Sequence, residues 1–252
     1  MERSVVARGE PIALPREEVH VWQVPLELHE RDTCKLAVLL SQDERARAAR
    51  FKRIPDRDAF VICRGALRLI VSWYIGEEPG KVCFEHGPWG KPMLAGVGAG
   101  ALQFSVSHSH AAGIVAFARG RDVGIDVELI QPLPDADAIA ERFFSRSEVD
   151  QLKQLPADLR LEGFFRCWTR KEAFVKATGK GLSLPLDQFS VSLAPDEPAV
   201  LVDVLWDPED AGRWRVHDVP VGRRTQGDYA GALVAQGHDW HVRYWEFDPA
   251  VL

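Results

Sequence analysis

The chain has 252 residues, 46% of them apolar and 27% charged, enough to bury one large core or two of ordinary domain size. A formal net charge of -6 argues against a general nucleic-acid binder, because the phosphate backbone rewards an excess of Lys and Arg. No run approaches the roughly 18 consecutive apolar residues of a membrane span, and the start M-E-R-S-V-V-A-R-G-E-P lacks the apolar centre of a signal peptide, so a cytoplasmic protein is expected.

In chain order, Val19 to Val24 alternates apolar and polar residues, which predicts a half-buried strand. Ser41 with Glu44 fits a capping box opening a helix through about Phe51, and Asp56 is placed to cap the next. In that second helix Phe60, Cys63, Leu67, Ile70 and Tyr74 share one face, and Gly76 supplies a stop. Gly87 to Gly100 reads as an exposed loop. Short strands are expected at 104–107, 112–118 and 123–128. Helices resume after Pro134: Ser145 with Glu148 makes a second capping box, and a long helix runs from about Leu159 to Gly179. Strands at 189–193, 199–205, 229–235 and 242–247 close the chain. Helices and hairpin-connected strands occur in both halves, so two packed α+β units are predicted, with a junction near Ala118 to Val123. Cys34, Cys63, Cys83 and Cys167 form no C-x-x-C pair and have no histidine at zinc-finger spacing, which predicts free, buried thiols.

Asp126 and Glu128 lie two apart in a predicted strand, so their carboxylates leave the same face roughly 6 to 7 Å apart. Such anions repel, and a cation, a basic neighbour or exposure to water must relieve them. Trp168, Glu172 and Lys176 form a stripe at i, i+4 and i+8 of the long helix, where Glu172 to Lys176 also has the spacing of an ordinary surface ion pair. Three carboxylates with no cysteine or histidine partner would make an all-oxygen site suited to Mg²⁺. Ser107, His108 and Ser109, just past a strand, offer hydroxyl and imidazole donors, and no G-x-S-x-G elbow makes Ser107 a nucleophile. Lys91 in W-G-K-P is either an anion contact or an exposed loop lysine. Arg45, Arg47, Arg50, Lys52, Arg53 and Arg57 are either a solvated face or a dock for an acidic or phosphate-bearing partner.

The segments W-G-K-P at 89–92, F-S-V-S-H-S at 104–109, G-I-D-V-E at 124–128, R-F-F-S-R-S-E at 142–148, W-T-R-K-E-A-F-V-K at 168–176 and G-K-G-L-S-L-P-L at 179–186, in this order, resemble the Sfp-type 4′-phosphopantetheinyl transferases. The resemblance implies an α+β fold of two similar α/β subdomains related by pseudo-twofold symmetry, residues 1–118 and 119–252, with coenzyme A in the cleft between them. It implies that Asp126, Glu128 and Glu172 hold Mg²⁺ and that Arg47, Arg64, Lys91, Pro92, Ser107, His108, Asp126 and Lys176 bind coenzyme A. Glu172, Lys176 and His108 would then serve catalysis, with either Glu172 or a metal-bound water as base. Glu148 also matches the family, although its capping box explains it. The implied reaction moves phosphopantetheine to a serine of an apo acyl or peptidyl carrier protein and releases adenosine 3′,5′-bisphosphate, in a monomer that touches neither nucleic acid nor membrane. Two other readings are a binder of coenzyme A or carrier protein without turnover, and a pyrophosphate-cleaving Mg²⁺ hydrolase. The intact acidic trio counts against the first, and no Walker-type or dinucleotide glycine motif supports the second.

Overall fold

The computed structural model describes residues 11–222 and 227–252; residues 1–10, most of the stretch read for a signal peptide, lie outside it. Strand β1 (Glu18–Pro25) is buried along nearly its whole length, His20 and Gln23 included. The alternating sequence predicts a half-solvated strand, but β1 is sandwiched between helices on one face and a second sheet on the other.

Three helices follow, α1 (Glu30–Leu39), α2 (Gln42–Ala48) and α3 (Ile54–Ile75). Ser41 and Glu44 close the expected capping box, but α2 stops at Ala48, short of Phe51. Arg53 takes the N-cap position of α3 with extended backbone and no side-chain hydrogen bond, so Pro55 rather than Asp56 marks the first turn, where its missing N–H costs nothing. Gly76 ends α3 with φ 71°, as the stop signal requires. The expected loop after Gly87 contains a strand: β2 (Cys83–His86) and β3 (Pro92–Ala95) form a small hairpin.

Next come β4 (Leu102–Ser109), β5 (Ala112–Arg119) and β6 (Val123–Leu129), then α4 (Ala136–Phe143), α5 (Arg146–Gln154) and α6 (Arg160–Thr178). The chain closes with β7 (Phe189–Val191), β8 (Leu201–Val204), β9 (Trp214–Asp218), β10 (Tyr229–Gln236) and β11 (His241–Glu246). β9 has no counterpart among the expected strands, because W-R-V-H-D gives only five residues of alternation. Cys63 and Cys167 are buried free thiols, whereas Cys34 and Cys83 are exposed, against expectation.

The fold is α+β. Strands β11, β1, β5 and β4 form one sheet in that order, and β6, β10 and β9 form another. Side chains of α3, including Ile62, Leu67 and Ile70, cover the outer face of the first sheet. Phe174, Val175 and Ala177 of α6 cover the outer face of the second. Between the sheets lie Val19, Val21, Ile114 and Ala116 from one side and Ile125, Val127, Leu233 and Ala235 from the other. The layers therefore run helix, sheet, sheet, helix, each half built from a long helix on a sheet. The chain crosses the expected division at residues 118 and 119 a second time: β11, inside the 119–252 stretch, runs parallel to β1 and belongs to the N-terminal sheet.

Candidate functional site

The site begins with a glycine. A Cβ on Gly124 would fall 2.0 Å from the Ala173 carbonyl oxygen and 2.3 Å from the Ala177 amide nitrogen, so only glycine lets α6 lie directly on the β6 backbone. That approach carries Glu172 and Lys176 to the acidic face of β6. Lys176 Nζ donates to Asp126 Oδ1 at 2.7 Å, and Ser107 Oγ donates to the same oxygen at 2.7 Å. Asp126 Oδ2 is buried and has no hydrogen-bond partner. Glu128 Oε2 accepts from Ser109 Oγ at 2.8 Å. The ordinary helix pair is not formed: among the described residues Lys176 bridges to Asp126 rather than to Glu172.

The three carboxylates feel one another. Burial raises the pKa of Glu128, the Ser109 hydrogen bond and Lys176 oppose the rise, and the charges of Asp126 and Glu172 add to it. Burial likewise raises Glu172, reinforced by Asp126 and opposed by Lys176. One lysine among these carboxylates leaves an excess of negative charge, which a divalent cation would relieve. Among the described residues no group of three or more His, Cys, Asp and Glu side chains is placed to hold a metal ion. The donor set fits Mg²⁺ nonetheless, because that ion is usually held by one or two carboxylates, with water and substrate phosphate completing the shell. The unpartnered, buried Asp126 Oδ2 is the kind of hard oxygen such a site requires.

The other expected residues fall into two groups. His108 keeps solvent contact at the end of β4, and its pKa is lowered by the surrounding protein and by Lys176 and Arg47, against the pull of Asp126. It therefore shares one electrostatic field with Lys176, Arg47 and Asp126, and as a neutral ring it offers a hydrogen bond rather than a charge. Lys91 and Pro92 line a cavity of about 240 Å³ with Trp89, Glu172, Lys176 and Gly181. The Lys91 ammonium itself donates to the Val123 carbonyl at 2.9 Å, and burial lowers its pKa. Larger depressions, such as one of about 950 Å³ beside Ser145 and Ser190, hold none of the three carboxylates. Arg64 is engaged elsewhere, forming a fork onto Glu44 Oε1 at 2.9 and 2.6 Å. Glu148 is structural: Ser145 N and Lys171 Nζ reach one of its oxygens and Val191 N the other, each at 2.7 Å. Sequence reasoning missed Gly124, although its place two residues before Asp126 was the available signal.

A family model described as the 4′-phosphopantetheinyl transferase superfamily matches residues 122–234, the stretch holding all three carboxylates. The 4′-phosphopantetheinyl transferase HetI of Nostoc sp. is 37% identical over 237 residues, covering 94% of this chain and 95% of that protein. The 4′-phosphopantetheinyl transferase Sfp of Bacillus subtilis is 32% identical over 169 residues, 67% of this chain and 73% of that one. A solved holo-(acyl-carrier-protein) synthase from Bacillus anthracis, in complex with CoA (3′,5′-ADP), is 20% identical with a TM-score of 0.35, over 46% of this chain and 94% of that one. The chain belongs to the 4′-phosphopantetheinyl transferase family. As an enzyme it is a 4′-phosphopantetheinyl transferase.

Proposed function

We propose that this chain transfers the phosphopantetheine arm of coenzyme A to a serine of an apo acyl or peptidyl carrier protein at the seam between β4, β6 and α6, in a cleft between two halves that divide at residues 118 and 119 except for β11, which returns to the first sheet. The observation that carries the assignment to this seam is that Lys176 bonds Asp126, whose other oxygen is buried and unpartnered, while Glu128 and Glu172 lie within reach of its charge. Asp126, Glu128 and Glu172 would hold Mg²⁺, which when bound neutralises the phosphate oxygens and sharpens the electrophile. Everything else is done by the protein. Phosphoryl transfer needs little covalent help, so positioning and charge complementarity dominate.

Lys176, anchored on Asp126, presents a fixed positive charge to the phosphate that leaves with adenosine 3′,5′-bisphosphate. His108 donates a hydrogen bond to a phosphate, and the arriving anion raises its lowered pKa. Arg47, exposed and close enough to His108 to influence its pKa, extends the positive wall. Lys91 and Pro92 shape the opposite wall. Glu172 has no hydrogen bond or salt bridge among the described residues, which leaves its carboxylate open to accept the proton of the attacking serine. The serine oxygen forms the new bond to phosphorus, and the bond to the bisphosphate breaks. Arg64 braces the α2–α3 corner through its fork onto Glu44, and Nη1, which takes no part in that fork, is left to meet a nucleotide phosphate.

No helix among the described residues is long and apolar enough to cross a membrane. The decisive experiment follows transfer by the mass of an apo carrier protein incubated with coenzyme A and Mg²⁺. The Glu172→Gln chain should lose transfer by roughly 100-fold or more while its unfolding temperature stays level or rises, because a repelled charge is gone. Transfer at near parental rate would remove Glu172 from the mechanism. Cleaved coenzyme A with unmodified carrier would replace transfer by hydrolysis.

A further inference from the structure

The edges of the two sheets meet along β4 and β6, which belong to different sheets. Hydroxyls on alternate residues of β4 cross the seam instead of a backbone ladder. Ser105 Oγ accepts from Ile125 N at 3.1 Å, and Ser107 Oγ donates to Asp126 Oδ1. Ser109 Oγ donates to Glu128 Oε2 at 2.8 Å and accepts from Leu129 N at 3.2 Å.

We propose that Ser109 is a positioning residue for the transfer reaction, holding Glu128 so that one carboxylate oxygen is anchored and the other is left for the ion. The inference rests on the reading of Glu128 as a metal-holding carboxylate. A hydroxyl has one proton and two lone pairs. At Ser109 the proton is committed to Glu128, one lone pair takes the Leu129 amide, and His110 Nδ1 stands 3.2 Å away to occupy the second. Ser109 is only 7% exposed, so water does not compete freely for these positions. His110 follows in the hairpin turn with φ 52°, the one residue other than glycine with positive φ among those described, and such conformations persist where surroundings over-determine them. Asp126 repeats the pattern: a β4 serine anchors Oδ1, and Oδ2 is unpartnered. Both strand carboxylates are thus held from behind by the other sheet, and metal affinity depends on how well the two sheets stay in register.

The test compares the full-length parental chain with Ser109→Ala, Ser109→Thr and Ser105→Ala. Ser105→Ala removes a hydrogen bond across the same seam but touches no carboxylate. Transfer to an apo acyl carrier protein is measured against Mg²⁺ concentration, and Mn²⁺ binding is read separately from the free-ion electron paramagnetic resonance signal. Ser109→Ala should raise the Mg²⁺ needed for half-maximal transfer by about 10- to 100-fold, with a matching loss of Mn²⁺ affinity, as outer partners of metal ligands generally show. Ser109→Thr, which keeps the hydroxyl, should stay within a few-fold of the parent. Ser105→Ala should lower the unfolding temperature and leave Mn²⁺ affinity unchanged. Equal losses in Ser105→Ala and Ser109→Ala would reduce the seam to a structural role and overturn the proposal. A parent that binds Mn²⁺ with a Ser109→Ala chain that binds it equally well overturns this inference alone, whereas a parent that binds no Mn²⁺ overturns the metal reading with it.

Discussion

Buried carboxylates among the described residues divide by whether both oxygens are used. Glu148 has donors on each oxygen and a fully buried lysine beside it, so it holds α5 against β7 and α6. Glu44 is similarly complete: Arg64 forks onto Oε1, while Arg68 at 2.6 Å and Ser41 N at 2.9 Å take Oε2. Asp126 is the exception among the described residues, with Oδ2 buried and unpartnered, and that oxygen is what the proposed site is built on. Burial pushes the Glu44 carboxyl up, but the hydrogen bonds from Arg68 and Ser41 and the charges of both arginines outweigh it, so its pKa is lowered from the ordinary 4.5. A carboxylate with a depressed folded pKa stabilises the fold in full above its unfolded value and loses that contribution as pH falls through the folded one. Glu44→Gln should therefore cost about 3 kcal/mol at neutral pH, because buried Arg68 loses its anion. The cost should shrink as pH drops below about 4.5. Denaturant unfolding of parent and variant across pH checks this, and a difference that does not change with pH would refute it.

At the scale of elements, α6 carries two residues of the proposed site, Glu172 and Lys176. Its 19 residues bury Phe165, Phe174 and Val175, and Arg170 and Lys171 are carried inside because each finds several acceptors there. Arg170 reaches Asp218 and the Ser192 carbonyl, and Lys171 the Leu186 and Phe189 carbonyls. The helix can settle this low only over Gly124. Gly124→Ala would drive a methyl group into the Ala173 carbonyl, forcing α6 outward at a cost of about 3 kcal/mol or more. Transfer should fall with stability although no residue facing the substrate has changed. A Gly124→Ala chain with parental activity and unfolding midpoint would show that this contact does not set the height of α6. The capping boxes at Ser41 and Ser145 and the glycine stops at Gly76 and Gly179 were legible in the sequence, because they depend on neighbours within one helical turn. The length of α2 and the existence of β3 and β9 were not, because each is decided by what lies across from it.

On the scale of the whole molecule, the last strand ties the halves together. Trp245 and Phe247 enter the core under α3, Trp245 stacking on Trp22 at 5.1 Å, while Trp240 and Tyr244 fill the layer between the sheets. Removing the chain after Gly237 opens both cores at once. Loss of a single large buried aromatic costs roughly 3 to 5 kcal/mol, and a domain has only about 5 to 15 kcal/mol in total. The truncated chain should show no cooperative unfolding transition by circular dichroism. A sharp transition near the parental midpoint would mean that each half carries its own stability.

The residue types for the reaction, the six ordered motifs and the paired carboxylates two apart on a strand were all determined by the sequence itself, since chemistry and strand periodicity are local properties. Tertiary structure alone decided that Lys176 neutralises Asp126 rather than Glu172, that Arg64 braces Glu44, and that serines of one sheet hold the acids of the other. Those choices depend on which groups the four layers bring within about 3 Å, the reach of a hydrogen bond, and residues far apart along the chain carry no local signal of that distance.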